Sequence, residues 1–186
     1  MKVFAIYAML ALNAVAIELP KAPVKAEMTD INGAALQLPM ADQKATVLIF
    51  LATECPIANA YAAEIGRIYA EFADKGIGFC LVYCAKDLSD ADCRKHTSEY
   101  RLPGRALRDP QQRLVAATGV KVTPEVAILK PDGSLCYRGR IDNLYARLGL
   151  RRQVVSKREL RDVLTSLAAD KSFTFRQVEA IGCFIE

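Results

Sequence analysis

The chain has 186 residues, 52% hydrophobic and 25% charged, enough apolar material for the core of one domain without a second. A net charge of +4 is too mild to select a nucleic acid or an anionic surface. The basic residues gathered between Arg138 and Arg161 are interrupted by acidic ones and lack interleaved aromatics, so no nucleic-acid partner is expected.

The opening residues read as an address rather than as structure. Lys2 supplies a short positive start, residues 3–17 are apolar apart from Asn13, and Ala14-Val15-Ala16 offers a small-x-small cleavage pattern. A signal peptide over residues 1–16 is expected, with a second candidate site ending at Ala26, and with it an extracytoplasmic, periplasmic product. The stretch is shorter than the ~20 apolar residues of a membrane span. If retained, it is a signal anchor, the one route to a membrane. Export leads to an oxidising compartment, so Cys55, Cys80, Cys84, Cys93, Cys136 and Cys183 are all open to pairing. Sequence alone does not choose among the pairings.

Residues 28–38 read as a hairpin turning at Asp30-Ile31-Asn32-Gly33. Residues 46–51 (TVLIFL) are a continuous β-rich apolar run, the mark of a central strand buried on both faces. Residues 56–75 have helical spacing, with Ile57, Tyr61, Ile65, Ile68 and Phe72 on one side, and Gly76 ends the helix. A second buried strand follows over 77–84. Ser89 or Asp90 caps a helix carrying Cys93, His96 and Tyr100, which Pro103-Gly104 breaks. Residues 105–108 suit a short strand, and Asp109-Pro110 opens a helix to Thr118. Residues 126–129 and 134–141 form an antiparallel hairpin across Pro131-Asp132-Gly133-Ser134. Ser156-Lys157-Arg158-Glu159 has the pattern of a capping box for a helix to about Ala169, with Leu160, Val163, Leu164 and Leu167 inward. Residues 173–186 show no helical period. This order predicts an α/β domain over 28–170, with a mixed central sheet flanked by helices and an N-terminal β-hairpin. A flexible tail over 171–186 carries Cys183.

Cys55 carries the chemistry. In FLATECPIANAY an apolar strand stops at a cysteine followed at once by proline, which is tolerated at the first helical position because its missing N–H has no partner there. The unpaired N–H groups and the helix dipole favour thiolate over thiol, and the thiolate is the nucleophile. Thr53 is placed to hydrogen-bond that thiolate or to cap the helix, and Glu54 to sit in solvent beside the loop. Cys80 and Cys84 share one face of a strand, ~13 Å apart at the strand rise, too far to bond to each other. Cys80 reads as inert core and Cys84 as a thiol near the edge where the sites of open α/β sheets lie. Cys93 and His96 have a metal-compatible spacing, but His96 is the only histidine and a structural zinc needs four ligands, so they read as surface polar residues. Arg138 and Arg140 are placed to pair with Asp142 or to meet an acidic substrate.

Four segments together (FLATECPIANAY, GIGFCLVY, TPEVAILKPDGSLCYRGRID and the terminal GC) resemble the redoxin branch of the thioredoxin superfamily over roughly residues 28–183. TPE, YRGRID, a basic helix and the terminal GC resemble exported bacterial redoxin-domain proteins in particular. The resemblance implies a thioredoxin-like fold with a cis peptide at Thr123-Pro124 facing Cys55. The chain departs from the thioredoxin pattern at Ala58, where a resolving cysteine would stand. It departs from the peroxiredoxin pattern at Ala52, three residues before Cys55, and at Thr123-Pro124, where a peroxide-polarising arginine would lie. Arg138 and Arg140 are the candidates to replace that arginine. The second thiol must come from elsewhere, and Cys183, after a glycine on a reaching tail, is the first candidate. A copper-delivery site would need cysteine and is excluded by Leu51 and Asn59, four residues either side of Cys55. The expected activity is that of an exported thiol oxidoreductase acting on protein disulfides or peroxides, with an unassigned thiol as electron donor and no cofactor or metal. The alternative is a redox-inactive thioredoxin-fold binding module.

Overall fold

The computed structural model describes residues 22–186, so the expected leader and its site at Ala14-Val15-Ala16 lie outside the described residues. The first hairpin forms as its turn chemistry dictates. The Asp30 carboxylate accepts the N–H groups of Asn32 and Ala34, and Gly33 takes a φ of 86°. Strands β1 (Ala26–Thr29) and β2 (Ala35–Leu38) then pair antiparallel, with Ala26 opposite Leu38. Val24, ahead of the second candidate cleavage site, is buried and hydrogen-bonds to Gly133, so that segment belongs to the fold.

Strand β3 (Ala45–Leu51) is buried along its whole length, as its unbroken apolar run requires. The helical stretch after it is interrupted: α1 (Pro56–Ala60) and α2 (Ala62–Phe72) meet at Tyr61, and a 3-10 turn (Ala73–Lys75) runs into Gly76 at φ 81°. Tyr61 is tied at that junction by its hydroxyl, which donates to Asp142 at 2.6 Å. The inward stripe of Ile57, Tyr61, Ile65, Ile68 and Phe72 survives the break, and all five are buried. Strand β4 (Ile77–Tyr83) follows, then α3 (Asp90–Glu99), capped by a reciprocal Ser89–Asp92 box. After β5 (Arg105–Arg108), helix α4 (Arg113–Thr118) starts later than Asp109-Pro110 suggests. Asp109 caps it from a distance, accepting the N–H groups of Arg113, Leu114 and Val115 at 2.8, 2.9 and 3.1 Å.

Strands β6 (Val122–Thr123), β7 (Glu125–Leu129) and β8 (Leu135–Gly139) precede a small hairpin, β9 (Tyr145–Arg147) and β10 (Leu150–Arg151). Helix α5 (Glu159–Ala168) has its expected inward face but not its expected cap. Ser156 bonds to Asn143 instead, through its N–H at 3.0 Å and its hydroxyl at 2.8 Å, and Glu159 reaches across to Arg140. Tertiary partners have drawn both ends of the box away. The tail is also not free. It adds β11 (Arg176–Val178) parallel to β8 and β12 (Cys183–Phe184) antiparallel to β6.

The main sheet has the order β11-β8-β7-β3-β4-β5, with β3, β4 and β5 parallel and β7 antiparallel to β3. Alternate residues of β3 enter different layers. Val47, Ile49 and Leu51 pack with α1, α2 and α5, together with Cys93 of α3. Leu48 and Phe50 pack under the β1–β2 hairpin and Leu114 of α4. This is the mixed sheet flanked by helices that the element order predicts.

Candidate active site around Cys55 and Cys183

Cys55 is the N-cap of α1, just beyond the C-terminal end of β3, with Pro56 at the first helical position. Its sulfur accepts the N–H of Ala58 at 3.4 Å and lies 3.0 Å from the carbonyl oxygen of Thr123. The Thr123-Pro124 peptide is cis, as the resemblance implies, and it brings that carbonyl to the thiol; Leu38-Pro39 is a second cis bond. Cys183, 128 positions further along the chain, places its sulfur 2.7 Å from that of Cys55. Both cysteines are free. The pairing follows from β12, which sets Cys183 opposite Thr123. The Thr123 hydroxyl is buried beside the site without a partner.

The two thiols are driven apart electrostatically. Burial alone would raise the pKa of Cys55, but the hydrogen bonds from Cys183 and from the Ala58 N–H bring it below the ordinary value. Cys183 moves the opposite way, pushed up to about 11 by burial and then by its bond to Cys55 and the Coulombic cost of a second anion. Either sulfur can donate to the other, and the opposite displacements favour Cys183 as the donor whenever Cys55 is ionised. The remaining cysteines are unsuited to this role. Burial pushes Cys80 and Cys84 up to about 12 and Cys93 and Cys136 to about 11. Cys84 packs in the other layer, so its position at a strand end does not bring it to Cys55.

Several expectations are corrected here. Thr53 neither bonds the thiol nor caps the helix, because Cys55 fills the cap position itself; Thr53 instead offers its carbonyl to the side-chain amide of Asn59 at 2.9 Å. Cys93 and His96 are buried, not surface residues. His96 Nδ1 faces the Tyr83 hydroxyl at 2.8 Å and Nε2 faces Asn59 Oδ1 at 2.9 Å, so a chain of hydrogen bonds runs from β4 through α3 to the loop before Cys55. The sequence gives no sign that Asn59 of α1 and Tyr83 of β4 meet His96, because the three come from different elements. Glu54 is exposed, as expected. Arg138 is buried and donates to the Thr118 carbonyl at 3.2 Å, while Arg140 pairs with Glu159. Neither pairs with Asp142, which accepts from Tyr61 and from the Leu144 N–H. Arg138 lies opposite Ala127, a residue of the layer that excludes Cys55, so it does not replace a peroxide-binding arginine.

Among the described residues no group of three or more His, Cys, Asp or Glu side chains is arranged to hold a metal ion, and no helix is long and apolar enough to cross a membrane.

A family model of redoxins matches residues 19–145, well over half of the chain. No curated protein matches. Among solved structures the chain is similar to an uncharacterized conserved protein of Geobacillus kaustophilus (24% identity, TM-score 0.78, 97% of each chain covered). It is similar to a hypothetical protein of Sinorhizobium meliloti (21% identity, TM-score 0.77, covering 91% of this chain and 94% of that one). A secreted disulfide oxidoreductase of Mycobacterium tuberculosis shares the fold at 20% identity and a TM-score of 0.52, over 78% of this chain and 95% of its own. Mixed sheet, cis proline facing a helix-capping cysteine, and the match to the family model converge: the chain belongs to the redoxin family, in the thioredoxin superfamily.

Proposed function

We propose that the protein is a thiol–disulfide oxidoreductase in which Cys55 is the nucleophile and Cys183 the resolving thiol. One observation carries the reading: two free sulfurs 2.7 Å apart whose pKa values are displaced in opposite directions. The Cys55 thiolate attacks one sulfur of a partner disulfide; a Cys55–partner bond forms as the partner's own S–S bond breaks, and the displaced sulfur leaves as a thiolate. Cys183 loses its proton to that thiolate or to water and attacks the Cys55 sulfur, closing Cys55–Cys183 and releasing the partner's second thiol. Two electrons pass to the partner, and an external thiol donor restores the pair. Cys183 thus takes the part that Ala58 cannot, while the Thr123 carbonyl accepts from Cys55 when that group is a thiol.

A peroxidase reading is less well supported, since Arg138 faces the other layer and Arg140 is engaged by Glu159. An extracytoplasmic site of action is supported by the apolar leader in the sequence and by likeness to a secreted oxidoreductase. The test is to oxidise the reduced chain with glutathione disulfide and map its peptides. A Cys55–Cys183 linkage, lost in Cys55→Ser, is expected. A chain in which Cys55 reacts with neither glutathione disulfide nor an alkylating reagent below pH ~8.5, the value of a free thiol, is the redox-inactive module instead.

A further inference from the structure

We propose that the β9–β10 hairpin is a peripheral membrane-binding tip, which inserts Leu148, Leu150 and Val154 into an anionic lipid surface and sets Arg147, Arg151 and Arg152 against the lipid phosphates. This contact is independent of the redox chemistry and gives the chain a second route to a membrane besides the leader.

The hairpin is built to project. Arg147 pairs with Leu150 across a two-residue turn, Leu148-Gly149, with Gly149 at a φ of 73°. Its base is fixed to the body. The Arg152 N–H donates to the Leu144 carbonyl at 2.7 Å, Asn143 and Ser156 exchange hydrogen bonds, and the Tyr145 ring lies 5.8 Å from that of Tyr61. Beyond that base, residues 147–154 are all exposed.

Two properties of this exposed run point to lipid. The first is apolar. Four large hydrophobic side chains are exposed among the described residues, and three of them are here: Leu148 at 58%, Leu150 at 45% and Val154 at 73%. The fourth, Phe184, lines the same cavity of about 710 Å³ as Leu148, so the apolar surface continues from the tip to the residue after Cys183. A single exposed leucine is ordinary, but a cluster marks a place that meets something apolar. The second property is charge. Between Asp142 and Glu159 the chain carries Arg147, Arg151, Arg152, Lys157 and Arg158 and no acidic residue. Among the described residues, Arg147, Arg151 and Arg152 form no ion pair. The total charge of +4 conceals this local excess.

A lipid surface suits the pattern better than a protein does. Charged and apolar side chains interleave along the ribbon, matching a zone in which phosphates overlie hydrocarbon. A stable protein contact covers about 800 Å² on each partner, more than the tip of a two-residue turn presents. Attachment of this kind needs no spanning helix, and none is found among the described residues.

The chain has no tryptophan, so Leu148→Trp in the full-length protein places a single fluorescent reporter on the tip. Its emission is followed as vesicles are added, made either of phosphatidylcholine alone or of phosphatidylcholine and phosphatidylglycerol in equal parts. A blue shift on the mixed vesicles is expected, with quenching by brominated acyl chains and much weaker binding to phosphatidylcholine alone. Each arginine near an anionic surface strengthens partitioning about fivefold. Combining Arg147→Gln, Arg151→Gln and Arg152→Gln with the reporter should therefore weaken it about a hundredfold. The leader is common to both chains, so its contribution cancels from that ratio. Vesicles that carry the protein down without a blue shift show that the leader alone holds it, and overturn the proposal. Equal partitioning into both vesicle types, or no loss in the triple arginine variant, overturns the anionic surface. A blue shift that grows with protein concentration in the absence of vesicles assigns the tip to a second copy. A shift with soluble polyglutamate and none with vesicles assigns it to an acidic protein, and either result overturns the membrane. None of these outcomes bears on the Cys55–Cys183 linkage, which the glutathione disulfide experiment reads separately.

Discussion

Replacing Cys183 with alanine removes the side-chain donor that faces Cys55 while leaving the β12–β6 pairing intact. A hydrogen bond to a charged group contributes about 1.5–3 kcal/mol, and one pKa unit corresponds to about 1.36 kcal/mol, so its loss should raise the Cys55 pKa by about 1–2 units. Cys183 is only partly buried, and water replaces part of the lost bond, which points to the lower end, about one unit. The assay is the rate of alkylation by iodoacetamide against pH, with the adduct assigned to Cys55 by mass. The unsubstituted chain should titrate below about 8.5 and Cys183→Ala about one unit above it. Cys183→Ser should stay near the original midpoint, because a hydroxyl still donates. An unchanged midpoint in Cys183→Ala would show that the tail thiol is not what holds the Cys55 thiolate. The same displacement appears in stability. Cys55 is held below its unfolded value of about 8.5, so it stabilises the reduced fold fully above that pH, and this stabilisation fades as pH falls through the folded pKa. Cys183, raised to about 11 by burial and by Cys55, opposes it as pH climbs above the unfolded value.

Two further outcomes concern the frame around the site. Burial holds the His96 pKa below its ordinary value, so the folded state binds this proton less readily than the unfolded chain does. Stability against urea should therefore decline as pH falls below about 6.5, and His96→Gln should flatten that decline; an identical slope in the variant would exclude His96 as the titrating group. Arg140→Ala should cost about 3 kcal/mol in urea unfolding because it strands the Glu159 carboxylate, 2% exposed, without its cation. A loss under about 1 kcal/mol would place this pair with ordinary exposed ones.

What the sequence shows of the fold is what its local periodicity can encode. An unbroken apolar run fixes β3 as a strand buried on both faces, and the stripe Ile57, Tyr61, Ile65, Ile68 and Phe72 fixes the inward face even though the helix breaks at Tyr61. The Cys55-Pro56 step locates the proposed nucleophile because strand end, cap and proline are adjacent in the chain. The errors share a cause. Ser156 and Glu159 have the right spacing to cap α5, yet Asn143 and Arg140, distant in sequence until the fold forms, hold them more favourably. His96 lies on a helix so polar that its one buried face carries no periodic signal, and its partners Tyr83 and Asn59 come from other elements.

The tail is the sharpest case. Strands of two or three residues have no period to detect, so 173–186 reads as unstructured even though β11 completes the main sheet and β12 brings Cys183 to Cys55. The glycines held the missing information in another form. Gly139 takes a φ of 152°, and a Cβ there would lie 2.2 Å from the Val178 carbonyl oxygen; Gly182 is similarly confined by Thr123. Each of these glycines marks a place where another stretch of backbone approaches too closely for a side chain. Gly182 therefore reports on the approach to Thr123 as directly as Cys183 reports on the chemistry, and a glycine beside a cysteine in an otherwise featureless tail is a sign that the tail docks.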